Sequence, residues 1–432
     1  MGLESVVLLT KRSSERGRSA IPTPSPGGAE VSSAPPPLPP SVVLLKHYGP
    51  DPHPGTGTPQ SVHGYLARSE GLGMDRQVAN EIRRSYVFQG GKVVKDQNGL
   101  PKLTPEGEAR AERVAKFVEE ELAKRGASEY ETQSKYGVAH DGLATDPNRR
   151  AMQMRIIDKY WKSMMESGAE KGQPPQLIVT GGLGGAGKTR LLREQMGLEL
   201  VTDKLTGEEI PKGYIVINPD IFKGLLYAEG GLPKVPGLTP GEASVFAHEE
   251  ASALAKYLSS RAQGEGYNVV WDFTMGSAES TLAKIHDYTD PDGPQYETSM
   301  VFVDITPERS VESANKRWHG GNVTGLDKIM GVGNEWKSAD YGDTFMGRYV
   351  PASFVMNADG KNKAAFLRMM DDYPAAVAAY AKKIGAESVP ELTARPPKSF
   401  HLFENRWDEA GKRRVDWVRG TGGKPPKEQR AA

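Results

Sequence analysis

Cysteine is missing from all 432 residues. Disulfides and thiolate metal sites are thereby excluded, and the expected compartment leans toward the cytosol. An excess of one charge is missing too. Lys plus Arg and Asp plus Glu are both 55, so any nucleic-acid or membrane contact must come from a local patch. No apolar run approaches the length of a membrane-spanning helix, and no membrane partner is expected. The first residues hold Val6-Val7-Leu8-Leu9 with no basic stretch before them, which makes a poor secretory signal. Hydrophobic residues are few, at 37%, against 49 glycines and 32 prolines, so part of the chain is expected not to pack.

That part is the beginning. From Ser19 to about Pro59 the chain is mostly Pro, Gly, Ser, Thr and Ala, densest at Ala34-Pro35-Pro36-Pro37-Leu38-Pro39-Pro40. Such a stretch buries too little apolar area to offset its ordering entropy, and its prolines favour the polyproline II conformation. Residues 1–70 therefore read as a disordered Pro/Gly/His-rich tail, with a ligand for a proline-binding module as the functional alternative. Ser5-Val6-Val7-Leu8-Leu9 recurs as Ser41-Val42-Val43-Leu44-Leu45, but two copies do not make a repeat fold. His47, His53 and His63 lie in a Gly/Pro-rich strip that does not by itself fix metal-ligand geometry. The strip resembles short segments of tailed-phage head and other virion proteins, which implies association with a virion.

Residues 71–170 read as a helical region. Thr104 is a good N-cap followed by Pro105, and Gly126 closes that helix, with Val114, Phe117, Val118 and Leu122 as its apolar stripe. Asp146 with Pro147 starts a second helix that ends before Gly168. Its Met152, Ile156, Ile157, Tyr160, Trp161, Met164 and Met165 suit a core face against the next domain.

From Gln176 short apolar strands alternate with helices. Strands are expected at 177–180, 214–217, 268–272, 300–304 and 400–403, and helices at 188–196, 242–261, 308–318 and 363–384. The fold class is therefore α/β, a parallel sheet of P-loop NTPase type flanked by helices, over residues 171–420, with a disordered tail at 421–432. Ligands of such sheets bind beyond the carboxyl ends of the strands.

The strongest chemical signal is Gly182-Leu183-Gly184-Gly185-Ala186-Gly187-Lys188-Thr189. Its glycines let backbone N–H groups face a triphosphate, Lys188 neutralises β/γ oxygens, and the Thr189 hydroxyl suits Mg²⁺. An apolar strand precedes it and a helical start follows, as the motif requires. Asp220, just past the second strand, is placed to accept a proton from a substrate hydroxyl, or else caps the following helix. Asp272 and Thr274 end the third strand, where substrate or metal contacts and plain turns both occur. His248-Glu249-Glu250 reads on its own as a charged helix surface. Arg317 and Arg348 flank a Gly-rich stretch suited to a lid that brings cations over the triphosphate, the alternative being a solvated loop.

Taken in this order, the segments from about Gln176 to Arg419 resemble the zeta-toxin family of P-loop kinases. Tyr214-Ile215-Val216-Ile217-Asn218-Pro219-Asp220-Ile221-Phe222-Lys223 is similar to the family's strand-Asp-x-Phe-Lys segment, whose Asp is the catalytic base. His248-Glu249-Glu250-Ala251-Ser252 resembles its His-x-Glu-Ala-Ser stretch, which implies a substrate contact for Glu250. The run Gly266 to Thr274 parallels its Gly-Tyr-Asn-strand-acid-Gly-Thr segment, with Phe273 standing where Gly is usual. Arg317 and Arg348 fall where the family places its lid arginines, over a longer intervening stretch, and Phe400 to Asn405 resembles its late strand.

The resemblance implies a toxin-like kinase that uses ATP or GTP with Mg²⁺. The implied acceptor is UDP-N-acetylglucosamine or a related nucleotide sugar, oriented by Glu250, Asp272 and Thr274. It also implies an antitoxin partner and a bacterial or phage-infected cytoplasm. Two rivals stay open: a kinase of a nucleic-acid end or other small molecule, and a virion-associated interaction protein that carries a P-loop domain.

Overall fold

The computed structural model describes residues 76–97, 99–124, 126–289, 294–329, 345–358, 360–385, 396–407 and 413–423. The tail expected over 1–70 lies outside them, as do the three tail histidines, most of the tail expected over 421–432 and the middle of the stretch between Arg317 and Arg348.

The described chain begins with α1 (Arg76–Arg84), a small hairpin of β1 (Phe88–Gln89) and β2 (Lys92–Val93), α2 (Pro105–Ala123), α3 (Thr132–Tyr136) and α4 (Pro147–Glu166). Both anticipated caps form. The Thr104 hydroxyl accepts from Gly107 N at 3.0 Å and the Asp146 carboxylate from Arg149 N at 2.7 Å, each with Pro in the first turn. The hairpin was not anticipated, because two-residue strands carry too few alternations to show a period.

Then follow β3 (Gln176–Gly181), α5 (Lys188–Glu194), a hairpin of β4 (Leu200–Thr202) and β5 (Glu209–Pro211), β6 (Ile215–Ile217), α6 (Pro219–Ala228) and α7 (Pro240–Ala243). A 3₁₀ turn at Ser244–Ala247 leads to α8 (His248–Glu265), β7 (Val269–Asp272), α9 (Ala278–Thr289), β8 (Glu297–Asp304) and α10 (Pro307–Ile329). The chain ends in α11 (Ala352–Asn357), α12 (Lys361–Asp371), α13 (Tyr373–Lys383), β9 (Ser399–Trp407) and β10 (Arg413–Thr421).

Six strands form the main sheet in the order β10-β9-β8-β3-β7-β6. All neighbours from β9 to β6 are parallel, and β10 is an antiparallel edge. The inner strands are buried on both faces, as a sheet covered by helices requires. Register brings Thr180 level with Asp272, so β3 and β7 end side by side.

The helix expected at 188–196 stops two residues early, at Glu194, and the other three differ more. The one expected at 242–261 is broken, because Thr239 and Glu242 form a capping box that starts α7, and α8 starts afresh at His248. The one expected at 363–384 is two helices. Pro374 cannot sit in a helix interior, and Asp372 caps α13 at Ala375 N. The one expected to end at Trp318 runs on to Ile329 through Gly320-Gly321.

The large core joins sheet and helices, and α4 belongs to it. Ile156, Ile157, Tyr160 and Met164 are fully buried with Leu177, Ile217, Phe222 and Leu254. The Tyr160 hydroxyl donates to the Val216 carbonyl at 3.0 Å. Each such side chain contributes on the order of 1.5–3 kcal/mol by leaving water, so the helix just before β3 is structural support for the phosphate loop. Among the described residues no helix is long and apolar enough to cross a membrane.

Candidate functional site

Beyond the carboxyl ends of β3, β6 and β7 lies a cleft of about 1030 Å³. Its floor at one end is the glycine loop. Gly182 and Gly185 take φ of +125° and +78°, and a Cβ would fall 2.4 Å from the Val303 carbonyl oxygen or 2.5 Å from Ser313 Cβ. Both the backbone angle and the space therefore demand glycine. The loop is held from outside by Ser310 Oγ, which donates to the Gly184 carbonyl at 2.7 Å, and by Asn405 Nδ2 on the Ala186 carbonyl. Lys188 and Thr189 open α5 and line the cleft.

Lys188 Nζ donates to the Gly182 carbonyl at 3.0 Å and lies 3.4 Å from Asp272 Oδ1. Asp272 is fixed on both oxygens. Thr180 Oγ1 donates to Oδ1 at 2.8 Å and Asn218 Nδ2 to Oδ2 at 3.1 Å. The expected acceptor-orienting Asp272 thus sits on the phosphate side of the cleft, beside the loop lysine. Among the described residues no cluster of three or more His, Cys, Asp or Glu is placed to hold a metal. The Thr189 hydroxyl and the Asp272 carboxylate nonetheless suit Mg²⁺, which keeps waters and substrate phosphates and asks for few, hard oxygen ligands from protein.

Asp220 stands at the second position of α6. The cap is Asn218, whose Oδ1 accepts from Asp220 N at 2.8 Å, so the alternative reading of Asp220 as the cap is set aside. Its carboxylate is open to the cleft, with 44% side-chain exposure, and meets Lys223 Nζ at 3.1 Å and Arg348 Nη1 at 3.6 Å. Enclosure by protein pulls its titration upward, but the Lys223 and Arg348 charges outweigh this and hold it well below the usual carboxylate range. Arg348 Nη1 also donates to the Asp220 carbonyl at 2.9 Å.

Arg317 lines the same cleft from the middle of α10. A Cβ on Gly184 would lie 3.3 Å from its Nη2, so the guanidinium lies over the phosphate loop. Arg317 was expected at the end of a helix, and the helix runs on past it, so a regular turn and not a lid margin presents it. Arg348 follows the stretch outside the described residues, in the irregular segment 345–350.

Thr274 is open to the cleft, and its carbonyl accepts from Asn362 Nδ2 at 2.8 Å. Phe273 also lines it, with Lys284 Nζ 4.9 Å from its ring centroid. Burial, then Lys256, push Lys284 down to about 8. His248 faces open cleft, and the Lys223 charge first, then its enclosure, push it down to about 4. Glu250 is the clear correction. It points away from the cleft and is 2% exposed, with Arg149 Nε and Nη2 on its two oxygens at 2.7 and 2.6 Å and Gln153 Nε2 at 2.7 Å. Every lone pair facing these donors is used, and an acceptor does not reach it.

Lys223 and His248 stand in the quoted motifs without a role assigned from sequence, and Lys284 was not singled out at all. Lys223 had a signal, since an Asp followed three residues later by Lys on a helix forms an ion pair. Lys284 had none, because its approach to Phe273 comes only from packing of α9.

The model of the Zeta toxin family matches residues 162–381. The chain belongs to the Zeta toxin family. It is a nucleotide-binding kinase, as members of that family are. No curated protein matches it. Among solved structures it is similar to an AvrRxo1-ORF1:AvrRxo1-ORF2 complex with sulphate ions, at 17% identity over 69% of this chain and 80% of that chain, TM-score 0.38. It is also similar to the PezAT chromosomal toxin-antitoxin system of Streptococcus pneumoniae, at 11% identity over 63% and 81%, TM-score 0.33. A third is the AvrRxo1-ORF1:-ORF2 complex with ATP, at 15% identity over 78% and 81%, TM-score 0.33. The family match carries the assignment.

Proposed function

We propose that this zeta-toxin kinase transfers the γ-phosphoryl group of ATP or GTP to a hydroxyl of a nucleotide sugar, with UDP-N-acetylglucosamine as the first acceptor to test. The observation that carries the reading is Asp220, open to the same cleft as the glycine loop and flanked by Arg348, with Arg317 opposite. The loop N–H groups and Lys188 hold the triphosphate. Thr189 and Asp272 would hold Mg²⁺, which would supply charge stabilisation to the phosphates when bound. The acceptor oxygen attacks the γ-phosphorus in line while the bond to the β–γ bridging oxygen breaks, and the hydroxyl proton passes to Asp220. Little proton transfer has occurred in a loose transition state, so an ionised carboxylate that orients the hydroxyl suffices. Arg317 and Arg348 offset the charge on the migrating group.

Beyond Asp220, Thr274, Phe273, His248 and Lys284 bound the rest of the cleft. A cation, a ring and hydroxyl or imidazole groups in one confined place suit an anionic acceptor with a planar or sugar part. A nucleic-acid end would ask for a basic groove leading to Asp220. An antitoxin partner is proposed on family grounds, and virion association, which rests on the tail alone, is not carried further.

The test is transfer of labelled γ-phosphate to a panel of UDP-sugars, other nucleotides and oligonucleotides. Labelled nucleotide sugar supports the reading. Label only on oligonucleotide 5′ ends would replace it with the nucleic-acid kinase.

A further inference from the structure

The family match begins at residue 162, yet two side chains upstream of it reach a cluster that holds the sequence neighbours of both arginines. Arg110, on α2, is buried, and its Nη1 and Nη2 donate to the two oxygens of Glu242 at 2.7 and 2.8 Å. Glu242 is itself fully buried and also accepts from Thr239 N at 2.9 Å and from Trp318 Nε1 at 3.0 Å. Trp318 is the neighbour of Arg317, and its ring meets Tyr349, the neighbour of Arg348, at 4.7 Å between centroids. Tyr86, just after α1, has its hydroxyl 3.0 Å from Nδ1 of His319, whose ring stacks on Trp318.

The two arginine-bearing segments are also locked to one another. Asn322 Oδ1 accepts from Gly347 N at 2.9 Å. A Cβ on Gly347 would fall 1.7 Å from the Trp318 carbonyl oxygen, and one on Gly321 would fall 2.5 Å from Gly347 Cα. Backbone at that distance transmits a shift of α10 directly to the segment carrying Arg348. Beside its apolar contacts, α10 is held next to Arg317 by a buried polar side whose partners are Glu242 with Arg110, and Tyr86.

We infer that Tyr86 and Arg110 are positioning residues for phosphoryl transfer, setting Arg317 and Arg348 through the Glu242–Trp318–His319 cluster. The residues before the glycine loop domain are thus a working part of the kinase as well as its structural support. This rests on the proposed role of the two arginines, and the test separates the two. Arginines aimed at the migrating group act in the transition state and hardly in the ground state, so misplacing them weakens binding of a transition-state mimic selectively.

The experiment uses the full chain, wild type, Tyr86→Phe, Arg110→Lys, Arg110→Met and Arg317→Ala. Melting temperature, affinity for Mg²⁺-ADP, and affinity for Mg²⁺-ADP with aluminium fluoride are measured for each. Tyr86→Phe and Arg110→Met are expected to bind Mg²⁺-ADP within about twofold of wild type and the fluoride complex about tenfold more weakly, with Arg110→Lys recovering part of the loss. Arg110→Met leaves Glu242 buried without its cation and is the variant most exposed to misfolding; Tyr86→Phe keeps shape and packing and decides the matter. Loss of fluoride-complex affinity in Arg317→Ala but not in Tyr86→Phe or Arg110→Lys would overturn this inference alone, as would parallel losses for ADP and its fluoride complex. No loss in Arg317→Ala would overturn the arginine mechanism and this inference with it.

Discussion

Replacing Asp220 by Asn tests the proposed chemistry with its own control. Asn keeps the size and the place in α6, and it costs no cap, because Asn218 is the residue that accepts from Asp220 N. What is lost is the negative charge between Lys223 and Arg348, at 3.1 and 3.6 Å. Asp220 is open to water but Lys223 and Arg348 are less so, at 12% and 29% side-chain exposure. The loss should therefore lie between the surface and buried cases, on the order of 1–3 kcal/mol in all, read as a fall of several degrees in melting temperature. The freed cations and the removed repulsion should leave ATP affinity unchanged or slightly higher. Transfer to the acceptor should fall by roughly 10²–10⁴-fold, the loss typical of a missing acid–base group. Isothermal titration with a non-hydrolysable ATP analogue and labelled-phosphate transfer measure the two halves. Wild-type transfer by the folded variant would remove Asp220 from the mechanism. A fall in transfer matched by a fall in ATP affinity would make it a nucleotide-site residue and not a base.

Lys188→Ala should abolish nucleotide-dependent thermal stabilisation, because the loop loses the ammonium that faces the phosphates; a full ligand-induced shift in melting temperature in that variant would refute it. Lys284, held down to about 8, is an ammonium below that pH and an amine above it. The KM for an anionic acceptor should therefore rise as pH passes 8, and Lys284→Met should remove that step while leaving the KM for ATP unchanged. His248, pushed to about 4, is neutral across the same range, so no activity step near pH 6.5 should be traced to it by His248→Gln. Glu250→Ala strands the buried Arg149 and should cost about 3–5 kcal/mol, read as lower denaturant resistance with acceptor KM unchanged in the folded enzyme. A raised KM at full stability would return Glu250 to the acceptor site.

The parts legible in the sequence are those where local chemistry and tertiary structure ask for the same residue. The glycine loop is one, since its left-handed angles and close backbone approaches both exclude a Cβ. The Thr104 and Asp146 caps are others, each a side chain answering a donor three residues on. The inner strands were visible as apolar runs because parallel strands are buried on both faces. The edge strand β10 was not, as Arg414, Asp416 and Arg419 give it the look of a solvated tail. Glu250 shows a different limit. Its motif says that a carboxylate belongs at that helix position, but whether it faces the cleft depends on Arg149, 101 residues earlier in sequence. Likewise Asp272 ends its strand as expected, and only the β3–β7 register turns it toward Lys188.

The same long-range dependence bears on where the working unit begins. The family match starts within α4, at residue 162, whereas Ile156, Ile157 and Tyr160 of that helix lie in the core under the sheet. A chain cut at the match boundary would expose this core, and Glu250 would lose both Arg149 and Gln153. Cutting further upstream, between α2 and α4, would spare the large core and the Glu250 pair but strip Val114 and Val118 from the cluster around Trp318 and Tyr349, and leave Glu242 without Arg110. Glu242 is fully enclosed and holds Trp318 beside Arg317, so that cut acts on the arginines and not on the nucleotide loop. The first truncation should therefore abolish folding, and the second should lower the melting temperature as well as impair transfer, so that point variants such as Tyr86→Phe, and not truncations, separate positioning from support.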